Sequence, residues 1–415
     1  MPESKAQFQH PHAVLWTICV IALLSVAGVS LPYPVLAPLF AATELNAFNH
    51  WLGLDPTLLL GIALAANPAG ILLGSAVLGA LSDQYGRKPV LAFALVVAVI
   101  GYLLSALAIA YQQYLWFVLA RFLTGLCEGS VSICRALAAD LHPQIDRNKA
   151  IAWMNSALYA AWLVGPLVGG MTMHLGAYVP FALAAMAIVP CLVMVQLLLP
   201  TETPATPELR LWQNISKNNS LQLLRQPELK WVIWAQFIYT LGLNAFYEFY
   251  PLWLVETQQF SGYEIGLITA ALCVVMTFVS AIVMTKFGNR VDPLPAAVLA
   301  ALVFSGCLAI LPWLEGSPSW VWLILCGLPI PMVSAWFQVY CTATFAHFGN
   351  GRVMGLLTLL MCAGNLVIAL VGALIAMAGA QYTLWLGAIF AAIAAWLLRY
   401  ENRQQTNNPS VSSDS

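Results

Sequence analysis

Twelve apolar runs, separated by short polar or Gly/Pro clusters, dominate this sequence and leave it few ways to fold. They fall at 14–40, 57–81, 89–111, 114–141, 149–173, 177–199, 230–256, 263–286, 294–313, 319–345, 352–377 and 379–400, and are called helices 1 to 12. A helix needs about 20 apolar residues to cross a bilayer, so twelve would occupy about 240 residues. The chain has 415, of which 61% are hydrophobic and 8% charged. An average soluble domain is roughly 45 to 50% apolar and 25% charged. That excludes a water-soluble globular protein. The expected fold is an all-α membrane protein with twelve transmembrane helices in two six-helix, pseudo-symmetric bundles.

The domains expected are a tail at 1–13, a first bundle at 14–200, a linker at 201–229, a second bundle at 230–400 and a tail at 401–415. The first run is too long for a signal-peptide core of roughly 7 to 15 residues and reads as a retained helix. A net charge of −1 offers nothing to nucleic acid. The nine cysteines all lie inside apolar runs, with no CxxC pair or zinc-ligand spacing, so they read as packing residues and no metal is expected.

Lys and Arg set the orientation, because cytoplasmic loops retain an excess of positive charge. Arg121 and Arg135 lie inside helix 4, and the other fourteen, from Lys5 to Arg403, all fall on one side. The opposite loops carry Glu44, Asp55, Glu256, Glu264 and Glu315 with no Lys or Arg. Both termini and the linker are therefore expected in the cytoplasm, in a bacterial-type inner membrane. The halves also echo each other: Gly86 and Gly288 lie 202 positions apart in similar turns, and Arg147 and Arg352 lie 205 apart. A repeat of half the chain is how transporters alternate access around a midplane site.

The connection from helix 2 to helix 3 reads Gly79-Ala80-Leu81-Ser82-Asp83-Gln84-Tyr85-Gly86-Arg87-Lys88-Pro89. It resembles the signature of the major facilitator superfamily, at the expected place and side. The resemblance implies a cytoplasmic charge lock of Asp83, Arg87 and Lys88 with an acidic residue ending helix 4, here Asp140. Gly165-Pro166-Leu167-Val168-Gly169-Gly170 in helix 5 is similar to the motif of that superfamily's proton-driven antiporters. Glycines at this spacing let helices pack closely, and Pro166 removes a backbone hydrogen bond. Pro32, Pro34 and Pro38 in helix 1 resemble the pattern of the twelve-helix drug:proton antiporters.

Helix 4 carries the most expensive residues, since a charge inside a bilayer costs a few kcal/mol or more unless it faces a cavity or a partner. Arg121, Gly125, Glu128, Ser132 and Arg135 share one helical face, expected to look into the central cavity. Arg121 with Gly125 resembles the superfamily's helix 4 motif, whose arginine is tied to proton coupling. Arg121 and Glu128 stand seven residues, about 10 Å, apart along the axis, so each needs a partner from elsewhere. The alternative is a static Arg-Glu-Arg network that only stabilises helix 4.

Helix 7 carries a second polar stripe, Gln236, Thr240, Asn244 and Glu248, with Tyr247 and Tyr250 beside it. Aromatics next to a carboxylate suit a lipophilic or cationic substrate. Glu248 precedes Glu256 by only eight residues, which also fits a solvated place in the outer vestibule. Asn67, Asn155, Gln338 and Asn365 are weaker candidates, each more often interhelical glue than ligand.

The proton-coupling set is therefore Glu128, Arg121 and Glu248. The substrate set is Arg135, Asn155, Asn244, Tyr247, Glu248, Tyr250, Gln338 and Asn365. Helix 1 has no acidic residue, unlike several drug:proton antiporters, so Glu128 or Glu248 must carry the proton. The expected function is proton-driven export of small organic molecules such as drugs by a monomer in the lipid bilayer, with no cofactor beyond the proton gradient. The alternative is transport of an anionic metabolite such as a carboxylate siderophore, with Arg121 and Arg135 as ligands. An enzyme is not expected, because no HExxH or GxSxG constellation occurs.

Overall fold

The structure, a computed structural model, describes residues 10–42, 44–128, 130–141, 143–199, 220–283, 291–314, 316–348 and 350–407. Every long element among them is helical. Helix 1 spans Pro11–Ser30 and Tyr33–Phe40, broken where Pro32 and Pro34 remove backbone donors. Helices 2 and 3 span Pro56–Tyr85 and Arg87–Ala110. Helix 4 is described over Tyr114–Glu128 and Ser130–Asp140, and helices 5 and 6 over Arg147–Thr172 and Val179–Leu198. Helix 7 spans Lys230–Gln258, and helix 8 runs over Gly262–Phe278 into a π turn at Val279–Val283. Helix 9 is Pro293–Ile310, and helix 10 is Ser317–Leu325 and Pro329–Thr344. Helices 11 and 12 are Asn350–Ala376 and Ala380–Asn407, so the last helix continues past residue 400.

Local chemistry sets these ends. Asp55 caps helix 2 by accepting from the Thr57 amide at 2.8 Å, with Pro56 in the first turn, where its missing donor does no harm. Asp146 caps helix 5 in the same way through the Lys149 amide at 3.0 Å. Between helices 2 and 3, Gly86 takes φ +91°, a conformation that side chains with a Cβ rarely adopt, which fixes glycine in the turn of the signature. Eleven of the described helices are long and apolar enough to cross a membrane. Helix 7 does not join them, because Gln236, Asn244 and Glu248 interrupt its apolar run.

The chain divides into two compact units, 1–217 with 262–267, and 218–261 with 268–415. In the first, helix 1 packs on helix 5, helix 2 on helix 4, and helix 3 on helices 4 and 6. In the second, helix 7 packs on helices 11 and 12, and helix 9 on helices 10 and 12. The pairs 1–5, 3–4 and 3–6 thus recur as 7–11, 9–10 and 9–12, the three-dimensional form of the sequence repeat. The second copy of the signature, including Lys286, Gly288 and Arg290, and most of the 201–229 linker lie outside the described residues.

Candidate functional site

Helices 2 and 4 approach closely enough to share one polar cluster, and glycine makes this possible. A Cβ on Gly125 would overlap the backbone carbonyl of Asn67, and one on Gly70 would sit 2.8 Å from the Leu126 amide nitrogen. At this seam Asn67 donates through Nδ2 to Glu128 Oε1 at 3.1 Å and to Thr124 Oγ1 at 3.4 Å. Tyr102 of helix 3 adds its hydroxyl, 3.5 Å from the same Glu128 oxygen and within the field of Arg121. Arg121 and Glu128 are 4% and 8% exposed, and the Arg121 charge acts on Glu128 through space.

Both residues therefore face helices 2 and 3 inside the first unit, while Ser132 and Arg135, further along helix 4, are exposed. The sequence marks Asn67 as a weaker candidate, more often glue than ligand, and does not single out Tyr102. One signal was available: Tyr102 and Ser105 are the only residues with polar side-chain groups between Val90 and Ala110. The cluster is not saturated. Arg121 Nε and Nη1, Glu128 Oε2 and Asn67 Oδ1 are buried without a hydrogen-bond partner among the described residues. Two cationic donors and two acceptors in one buried cluster suit an exchangeable proton or a polar guest.

Helix 7 presents a different picture. Glu248 is 2% exposed, so it lies buried and not in a solvated vestibule, and neither of its carboxylate oxygens has a partner among the described residues. Asn244, one turn earlier, is also buried, with its Nδ2 unpaired among the described residues, while Gln236 donates to Thr240 Oγ1 at 3.3 Å. The two tyrosines turn their hydroxyls to helix 8: Tyr247 donates to Met276 Sδ at 3.1 Å, and Tyr250 hydrogen-bonds Thr269. Asn365 is half-buried, its Oδ1 unpaired among the described residues, and Asn155 and Gln338 are exposed.

At the end of the first unit where Lys and Arg gather, Arg87 forms an ion pair with Asp140, joining the start of helix 3 to the end of helix 4. The Asp83 side chain lies outside the described residues. Lys88 takes a separate role: its Nζ donates to the carbonyls of Gln196 and Leu199 at 2.8 and 2.7 Å, tying helix 3 to the end of helix 6. An ammonium there satisfies carbonyls that the ending helix leaves free.

The helix 5 motif has two faces. Gly165 and Gly169 pack on helix 1, where a Cβ on Gly165 would overlap Ser30 Oγ and the Ala27 carbonyl, and one on Gly169 would sit 2.5 Å from the Leu31 carbonyl. Gly170 packs on the segment 262–267 of the same unit: a Cβ on Gly266 would sit 2.9 Å from both the Gly170 Cα and the Pro166 carbonyl.

The Major Facilitator Superfamily description matches residues 18–369 of the chain. The tetracycline resistance protein, class H, of Pasteurella multocida is 26% identical over 415 residues, covering 95% of this chain and 98% of that protein. The staphyloferrin B transporter of Staphylococcus aureus is 34% identical over 159 residues, 38% of this chain and 35% of that one. Among solved structures, the human organic anion transporter MFSD10 superposes with a TM-score of 0.67 at 18% identity, over 94% of this chain and 99% of that one.

Proposed function

The chain belongs to the major facilitator superfamily, and from that premise we propose that this multi-pass membrane transporter exports small organic molecules in exchange for protons. It is a transporter and not an enzyme. The observation that carries the proton reading is the cluster on helix 4. Glu128 is buried, shares its oxygen Oε1 between Asn67 and Tyr102, and lies in the field of Arg121. Desolvation and a nearby guanidinium act on a carboxyl in opposite directions, so a change of water access or of the distance to Arg121 switches its proton on or off. Alternating access supplies such a change once per cycle.

Export as the direction rests on the helix 5 motif, whose glycines pack on both of their neighbours, and on the relatives named for resistance. Location in a bacterial inner membrane with both termini in the cytoplasm rests on the distribution of Lys and Arg. The test is proton release from reconstituted vesicles on addition of organic cations, neutral lipophiles or tricarboxylates. Release on a cation or lipophile supports the reading, and its absence with all three classes refutes it.

One observation favours a second reading, transport of an anionic metabolite such as a carboxylate siderophore. Arg121 holds two buried donors without partners among the described residues, which suit a carboxylate, and one relative is named as a staphyloferrin B transporter. A response to tricarboxylates alone in the same assay would select it.

A further inference from the structure

Tyr102 is 1% exposed and ends in a hydroxyl 3.5 Å from Glu128 and within the field of Arg121, the two buried charged residues of helix 4. Opposite it, helix 1 carries Gly28. A Cβ at residue 28 would occupy the space of the Tyr102 hydroxyl oxygen itself, so the phenol tip fills a gap that only glycine leaves. The only other polar side chain in the middle of helix 3, Ser105, spends its hydroxyl on the Gly101 carbonyl at 2.8 Å and takes no part. Helix 1 from Ala13 to Phe40, helix 2 from Pro56 to Leu81 and helix 3 from Val90 to Ala110 contain no charged side chain. Among the described residues, the ionisable groups around Glu128 are Arg121 and Cys127 on its own helix and Tyr102 on helix 3, with Asn67 and Thr124 as neutral neighbours.

We propose that Tyr102 is the positioning residue of the proton site: seated in the gap at Gly28, its hydroxyl bridges Arg121 to Glu128 and sets the pH at which Glu128 exchanges its proton. A phenol can accept from a guanidinium N–H while donating to a carboxylate. It therefore links two residues that stand too far apart along helix 4 to pair directly. Its distance of 3.5 Å from Glu128 is long, as such bonds often are before a site closes on its substrate. The wall behind the hydroxyl is on helix 1, so any shift of helix 1 against helix 3 makes or breaks the bridge. The proposal rests on Glu128 carrying the transported proton, and its test separates the two claims.

The readout is the infrared C=O stretch of protonated carboxyls in the purified full-length protein, followed as pH is varied, and it needs no substrate. Glu128→Gln identifies the component that belongs to Glu128. In Tyr102→Phe that component should titrate with a midpoint higher by about one pH unit, because a donor to the ionised form is lost. Gly28→Ala, which pushes the hydroxyl aside, should shift it the same way, and the double variant should add nothing further. Tyr102→Phe removes a single oxygen, so it carries the test if Gly28→Ala does not fold. An unchanged midpoint in folded Tyr102→Phe overturns the proposal and leaves the Glu128 reading standing. If Glu128→Gln removes no titrating component, the Glu128 reading fails, and this proposal fails with it.

Discussion

Asn67 on helix 2 and Glu128 on helix 4 are joined by a 3.1 Å hydrogen bond, 61 residues apart in the chain and both buried. The bond exists because Gly125 lets the two backbones touch between Thr124 and Glu128. A buried carboxylate beside an amide that fixes its orientation is the arrangement a switchable proton site needs.

Gly125→Ala tests that seam. The added methyl overlaps the Asn67 backbone, which cannot rotate away as a flexible side chain would. Overpacking of this kind costs about 1 to 3 kcal/mol. The variant should unfold at a lower temperature in detergent, and an unchanged unfolding temperature would show that helices 2 and 4 separate freely.

Glu128→Gln keeps the shape of the side chain and removes its titrating proton. It should abolish accumulation driven by a pH gradient while preserving substrate binding and downhill exchange, with Glu248→Gln the milder defect. Uptake assays in inverted vesicles, with and without an imposed gradient, separate these activities. Full gradient-driven accumulation by Glu128→Gln together with its loss in Glu248→Gln would move the proton site to helix 7.

Asp140→Asn breaks the ion pair with Arg87. The pair is partly exposed, so it contributes at most about 1 kcal/mol. Its loss should shift the balance of inward-open and outward-open states by about fivefold or less and slow transport without reducing expression. Spin-label distance distributions read the balance directly. High salt should produce a similar shift in the wild type and little further change in the variant. Identical distributions in the two proteins would remove the pair from the mechanism.

Gly266→Leu forces a branched side chain into the contact with Gly170 and Pro166. Turnover should fall at least about tenfold, equivalent to 1.4 kcal/mol or more on the limiting step. Size-exclusion chromatography should still show the single peak of the folded wild type, and normal turnover would indicate that this contact opens at no cost.

A single cysteine at Asn218, in a background without the nine native cysteines, reports topology. It should react with an impermeant maleimide in inverted vesicles and not in intact cells. Labelling from outside intact cells would reverse the orientation.

Much of the architecture was readable along the chain. Helix number and approximate bounds follow from hydropathy and bilayer thickness, properties that each helix carries alone. Arg121, Glu128 and Glu248 stood out because a charge within an apolar run is costly wherever that run ends up. The partners were not readable. Tyr102 looked like one more aromatic in an aliphatic helix, Gly28 like one more small residue, and Lys88 like a member of the charge lock until its Nζ was found on the carbonyls of helix 6.

What the sequence alone determined is which residues are costly to bury; what only the tertiary structure decided is how each one is satisfied. Spacing along a helix fixes the face a side chain occupies. The neighbour opposite depends on the rotation and register of the next helix, and these are set by backbone contacts at Gly70 and Gly125 and by the Tyr102 ring seated against Gly28. Glu248 shows the same division: its position near a helix end fitted a vestibule as well as a core, and the packing of its unit left it buried with neither oxygen paired among the described residues.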